Sequence, residues 1–413
     1  MENTGDTAFV LVSAALVFIM TPGLGFFYGG LGRRKNVVNN MMACVFILGT
    51  GMIMWFLFGY SLAFTGNNLG IIGSLQDFGL RTIGLDDPSP YSGGIKSLAF
   101  VAFQMMFALI TPAIITGAVS GRMKFGALFL FIVLWSIVVY YPLAHMVWGS
   151  GGLLGADGLG SVDFAGGNVV HISSGVSGLV LCLVLGRREG YENFSYRIHN
   201  VPFVVLGMAL LWFGWYGFNA GSALAANGLA AHAFMTTSIA TAAGLLSWIL
   251  MDVIRGRKPS CISACTGVVA GLVAITPAAG FIPIWASLVT GLTAGPVCYV
   301  GILFVKRQLK IDDALDAFGC HGIGGIWGGL MTGLFASPAV NGTAGLFYGA
   351  PAQLGKQALA IIVSILVAAI GSLICIGIVK AVTSIRAPKR DELIGLDVSQ
   401  HGENAYPSFN GLD

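Results

Sequence analysis

The chain has 413 residues, 56% of them hydrophobic and 9% charged, against roughly 25% charged in an ordinary soluble domain. A water-exposed globule of this composition lacks the polar residues to cover itself, so the chain belongs in lipid. The net charge of +3 favours neither nucleic acid nor an anionic surface as a partner. Sixty glycines suit helices that approach closely in a bilayer. The seven cysteines, Cys44, Cys182, Cys261, Cys265, Cys298, Cys320 and Cys375, fall in apolar stretches or on faces assigned below to the cytoplasm, and no disulfide framework is expected. Cys261 and Cys265 lie one helical turn apart and need two further partners to hold a metal. Packing residues are the simpler reading, and neither a metal nor a cofactor is expected.

Apolar runs near the length of about 20 residues that crosses a bilayer occur at about 8–31, 37–64, 97–120, 125–147, 163–186, 201–219, 232–254, 260–280, 284–305, 314–336 and 354–382. The fold class is therefore an all-α polytopic membrane protein with eleven transmembrane helices. Glu2 and Asp6, with no basic residue, precede the first run, opposite to a secretory leader. That run reads as a mature span, with a leader removed before Met1 as the alternative. Eighteen of the 21 basic residues follow odd-numbered spans, and only Arg81, Lys96 and Lys356 lie on the other side. The positive-inside bias puts the N-terminus outside and the tail from 386 in the cytoplasm.

Ionisable residues inside spans are costly and face a bundle interior, so each is a functional candidate. Here they are His145, Asp163, His171, Asp252, Asp313, Asp316 and His321. Asp163 precedes His171 in DFAGGNVVH, and Asp313 precedes His321 at the same spacing in DALDAFGCH. Two five-helix halves, about 8–186 and 201–336, with an eleventh helix at 354–382, must sit inverted, which places a shared site near the midplane. Each histidine then lies about 12 Å into a core about 30 Å thick, from opposite faces, and the two imidazoles can meet. The competing readings are two separately satisfied packing histidines, and a metal site with His145 as third ligand.

Seven segments carry a resemblance over almost the whole chain: TPGLGFFYGGLGRRKNVVN (21–39), FQMMFA (103–108), HMVWG (145–149), DFAGGNVVHI (163–172), GWYGFNAGSA (214–223), GCHGIGGIWGGLMTG (319–333) and GLDVSQHGENAY (395–406). With these in order the sequence resembles the ammonium transporter family (Amt/Mep/Rh). Trp148 favours the Amt branch, since Rh-type relatives usually lack that aromatic. The resemblance implies an ammonium channel, not an enzyme, working as a homotrimer in the inner (plasma) membrane of a prokaryote, with ammonium or ammonia as substrate and methylammonium as analogue. It implies an outer recruitment site from Phe103, Phe107, Trp148 and Ser222, with Asp163 beside it and Trp215 lining or supporting its inner end. It further implies a gate from Phe107 and Phe218, and paired pore histidines His171 and His321. The transport domain spans 1–385. The tail at 386–413, with Gly395, Asp397, His401, Gly402, Glu403 and Tyr406, resembles a regulatory segment that packs on the cytoplasmic face, where a PII-type nitrogen-signalling protein docks. A solvated, unstructured tail is the alternative that composition alone favours.

The chemistry is coherent with that resemblance. A ring face attracts a small cation by about 0.5 to 2 kcal/mol without holding it as a carboxylate would, and the Ser222 hydroxyl can accept one N–H. Asp163 has two readings: stabilising the incoming charge through space, or capping exposed amides at a helix start. Beyond the phenylalanines a bare cation loses its hydration at a cost of several kcal/mol, which ammonium escapes by leaving its proton behind.

Overall fold

The computed structural model describes residues 3–191 and 198–406, a bundle of long helices with one short hairpin, Pro88–Ser89 against Ser92–Lys96. Among the described residues nine segments are long and apolar enough to cross a membrane: Thr4–Leu31, Arg34–Phe64, Ser97–Val119, Phe125–Trp148, Gly167–Leu185, Val201–Gly221, Gly228–Ile254, Ile284–Gln308 and Pro351–Val382. The two other expected spans are also helical but shorter, Cys261–Ile275 and Ile323–Phe335, the latter entered through a π-helical turn at Phe318–Gly322. Each expected span therefore coincides with a helix.

The eighth departs most from expectation, ending at Ile275 instead of near 280. Pro277 removes a backbone donor, and the chain turns tightly there, with Ala278 N donating to Ile275 O and Phe281 N to Ala278 O. Non-helical backbone at membrane depth survives only where protein satisfies it. Here Phe164 N donates to Pro277 O, and Thr236 Oγ1 to Ala279 O at 2.8 Å.

Loops that the charge bias assigns to one side do converge. Ala387 N donates to Arg122 O, Lys124 N to Ile385 O, Arg187 Nε to Lys310 O, and Lys35 Nζ to Leu393 O. The segments following spans one, three, five, nine and eleven thus meet on a single basic face. On the opposite face Asn67 Nδ2 donates to Gly151 O, Ser92 Oγ to Leu224 O and Gln353 Nε2 to Gly160 O.

The tail packs against the basic face instead of being solvated. Asp397 Oδ1 accepts from Asn39 N at 2.8 Å, and Asn36 Oδ1 accepts from Leu396 N at 2.9 Å. A carboxylate from the far end of the chain thereby sits at the first turn of the second span, where amides lack helical partners. Gly395 has φ +123°, a conformation that favours glycine, and a Cβ there would lie 2.6 Å from the Lys35 backbone. Tyr406 OH bonds His199 Nε2 at 3.1 Å, and its ring lies under Arg34. Gly402 makes a left-handed turn at φ +69°, and Glu403 is exposed. Residues 407–413 of the expected tail lie outside the described residues.

His401 contacts Asn39 Oδ1 through Nε2 at 3.1 Å and meets the Phe125 ring edge-on. Burial lowers its pKa, against the opposing pull of Asp397 and Glu403. The docked tail therefore binds fewer protons at His401 than a free tail, and docking weakens as pH falls through the ordinary histidine value of about 6.5. Protection of the 388–406 amides, taken as the exchange rate relative to that of an unstructured peptide at the same pH, is expected to be lower at acidic than at neutral pH. Asp397 is shifted upward by burial, the opposite sense, so His401→Gln isolates the histidine and should flatten the profile between neutrality and its onset.

Candidate functional site

The two Asp–His segments fold alike. Asp163 Oδ1 accepts from Gly166 N and Gly167 N at 2.8 and 2.7 Å, and Oδ2 accepts from Asn168 N at 2.7 Å. Asp313 Oδ1 accepts from Ala317 N at 3.1 Å, and Oδ2 from Phe318 N at 2.9 Å. Both carboxylates are buried and cap the amides that a helix start leaves unpaired. A π-helical turn follows each cap, Gly167–Ile172 and Phe318–Gly322, and each turn carries the histidine. Of the two readings of Asp163, capping is the one whose geometry is present; Asp163 does not line the outer cavity described below.

Glycine lets the two segments touch. A Cβ on Gly325 would lie 3.0 Å from His171 Cβ and 3.1 Å from Gly167 O. The imidazoles consequently meet, His171 Nδ1 and His321 Nδ1 being 3.2 Å apart with ring centroids at 5.2 Å. They line a narrow lumen with Val170, Ile114, Leu211 and Val269, whose free space is about 10 Å³. That is close to room for a single water-sized molecule. His171 Nε2 is buried without a protein partner, so its hydrogen-bonding capacity is left for whatever occupies the lumen.

Above the histidines the aromatic residues stand in a column. Trp148 meets Phe107 edge-on at 5.9 Å, and Phe107 and Phe218 are tilted together at 4.2 Å. Phe218 in turn lies over His171 at 6.2 Å. The Phe107–Phe218 pair separates the lumen from an open cavity of about 150 Å³, lined by Phe103, Phe107, Trp148 and Ser222. Trp148 Nε1 donates to Asp163 O at 2.9 Å, which fixes the indole at the cavity wall. Ser222 Oγ donates to Phe218 O at 2.8 Å and keeps lone pairs available.

Trp215, expected to line or support the inner end of the outer site, sits 5.5 Å from Phe218 on the histidine side of the phenylalanine pair. It lines the lumen, stacks on His171 at 5.4 Å and donates from Nε1 to Thr276 Oγ1 at 2.8 Å. Phe64, Tyr91, Phe100, Gln104 and Phe164 also line the outer cavity and were not singled out from the sequence. Gln104 and Phe164 fall inside the motifs FQMMFA and DFAGGNVVHI, Phe100 lies one turn before Phe103 on the same helix, and Tyr91 comes from the hairpin and stacks on Phe100 at 4.6 Å. His145 stands apart from the pair, held by Ala63 O at 3.0 Å and Asn67 Oδ1 at 3.2 Å. The three histidines do not converge as a metal site requires.

Known proteins resemble this chain along nearly its whole length. The model of the Ammonium Transporter Family matches residues 8–406. An ammonium transporter of Bacillus subtilis (strain 168) is 50% identical over 404 residues, covering 97% of this chain and 98% of the relative. The crystal structure of Saccharomyces cerevisiae Mep2 superposes with a TM-score of 0.85 at 38% identity, covering 91% of this chain and 85% of that one. A solved structure described as a sensor Amt protein has a TM-score of 0.87 at 28% identity, covering 96% and 98%. The chain belongs to the ammonium transporter family, and is a transporter rather than an enzyme.

Proposed function

We propose that the chain recruits ammonium as a cation in the outer aromatic cavity, strips its proton at the Phe107–Phe218 constriction and conducts ammonia past His171 and His321. The observation that carries this reading is the order of surroundings along one line: a cavity with Trp148, a closed phenylalanine pair, then a lumen whose polar side chains are the two imidazoles and the Trp215 indole.

The cavity binds the charged form by ring faces and the Ser222 oxygen. Cation–π attraction of about 0.5 to 2 kcal/mol makes Trp148→Leu raise the half-saturating methylammonium concentration by about 3- to 30-fold, with maximal uptake much less affected. Concentration dependence of uptake checks this. Past the phenylalanines the charge is not stabilised, and ammonia proceeds. With both imidazoles neutral, one Nδ1–H donates to the other Nδ1, so one outward Nε2 is an acceptor and the other a donor. Ammonia, which both donates and accepts, is matched to that pair. The proton left behind follows through the imidazoles or returns outward, and current on a solid-supported membrane after an ammonium jump distinguishes the two.

In this reading residues 1–385 are the transport domain, built of inverted halves, and 386–413 the regulatory tail. The basic face is cytoplasmic, the membrane is a prokaryotic plasma membrane, three copies assemble with one pore each, and a PII-type protein docks on the tail face. Methylammonium uptake by cells lacking other ammonium transport tests the core of it. Uptake by the unmutated protein, lost in His171→Asp with His321→Asp, is expected; no uptake by the unmutated protein contradicts it.

A further inference from the structure

A second cavity of about 240 Å³ opens on the basic face just beyond the histidines. Phe27 lines both it and the lumen, and Cys320, next to His321, lines its wall. Whatever leaves the lumen on this side enters this vestibule. Within it stand Asp316 and Lys306, neither of which the transport reading uses.

Asp316 holds a left-handed backbone at φ +61° between the Asp313 cap and the π-helical turn of His321, a conformation that costs energy for a residue other than glycine. Its Oδ1 is shut off from solvent. Its close neighbour is Lys306 Nζ, 2.6 Å away. Lys306 is carried by another π-helical turn, Phe304–Gln308, which closes the ninth span. The two side chains are 30% and 29% exposed. Among the described residues, other charged groups here are committed elsewhere or lie further along the wall. Arg188 forks onto Asp312 at 2.6 and 2.8 Å, and Asp313 is spent on its amides.

The lysine head is a primary alkylammonium, in chemistry a tethered copy of the transported cation. We propose that Asp316 is a binding site for small ammonium-type cations in the inner vestibule, and that Lys306 occupies it as a built-in competitor. Ammonia that regains its proton in the vestibule meets an occupied carboxylate and leaves. A cation arriving from the basic face must first displace Lys306, so apparent affinity from that face is weakened while the equilibrium distribution across the membrane is unchanged. The inference rests on the transport reading above.

Uptake of radiolabelled methylammonium into membrane vesicles of each orientation tests it. Lys306→Met is expected to lower the half-saturating concentration from the basic face by about three- to fivefold, the size of a partly exposed ion pair, and to leave the other face unchanged. Lys306→Met with Asp316→Asn should restore or exceed the original value. Arg307→Met, which removes a neighbouring exposed charge, should change neither face. No change at the basic face in Lys306→Met, equal shifts at both faces, or the same shift in Arg307→Met overturns the inference while leaving the transport reading intact. Absence of uptake by the unmutated protein from either face overturns both.

Discussion

Replacing His171 and His321 together by alanine is expected to lower methylammonium uptake by about 10- to 100-fold. The lumen is otherwise walled by apolar side chains and the Trp215 ring face, since Trp215 spends its N–H on Thr276. Ammonia shed of water there depends on the imidazoles for hydrogen bonds. Leaving a buried polar group without a partner costs about 1 to 3 kcal/mol, and each 1.4 kcal/mol on a barrier is tenfold in rate. A wider but drier lumen does not compensate, because the space added is apolar. The half-saturating concentration, set at the outer cavity, should change little. Unaltered maximal uptake in the double variant, with the protein present at normal level in the membrane, would remove the histidines from the pathway.

Asp163→Ala is expected to destabilise the protein by about 3 to 5 kcal/mol. Three amides donate to this carboxylate at 2.7 to 2.8 Å in a buried setting, and each loses its partner at a cost of about 1 to 3 kcal/mol, offset in part by relaxation of the turn. Asp163→Asn keeps one acceptor oxygen and should fall between the two. Asp313→Ala should behave in the same sense at the other histidine segment. Thermal unfolding in detergent reads the loss. A cap predicts a lowered midpoint in both alanine variants, whereas a through-space role predicts an unchanged midpoint with a raised half-saturating concentration in Asp163→Ala alone.

The parts of this architecture that follow from short-range patterning were legible in the sequence. Apolar runs located the nine long apolar segments and the two shorter helices among the described residues, and the repeated Asp–His spacing anticipated the meeting of His171 and His321. What the spacing did not carry was the π-helical turn in each segment, since an extra residue per turn leaves no compositional trace. The stacking of Trp215 on His171 was not legible either. Trp215 lies three residues before Phe218, on the same helical side, and sequence alone does not say on which side of the constriction a given turn falls. Tyr91 was missed because its contact depends on a hairpin folding back over the cavity, whereas Phe100 lies one turn before Phe103 on the same helix and was open to the spacing argument. The tail was misjudged by composition because its anchoring groups, Asn36, Asn39 and Lys35, come from the other end of the chain.

The central claim is that the charged form is selected outside and the neutral form passes within. The half-saturating concentration of total methylammonium, measured in proteoliposomes at outer pH 6 and pH 8, tests it most directly. An alkylamine titrates near the lysine value of about 10.4, so over this range the cation concentration is constant while the free base rises about 100-fold. The account predicts a half-saturating concentration that is the same at both pH values and is raised at both by Trp148→Leu. A fall of about 100-fold at the higher pH would mean that the outer cavity recognises the neutral amine, and would contradict it.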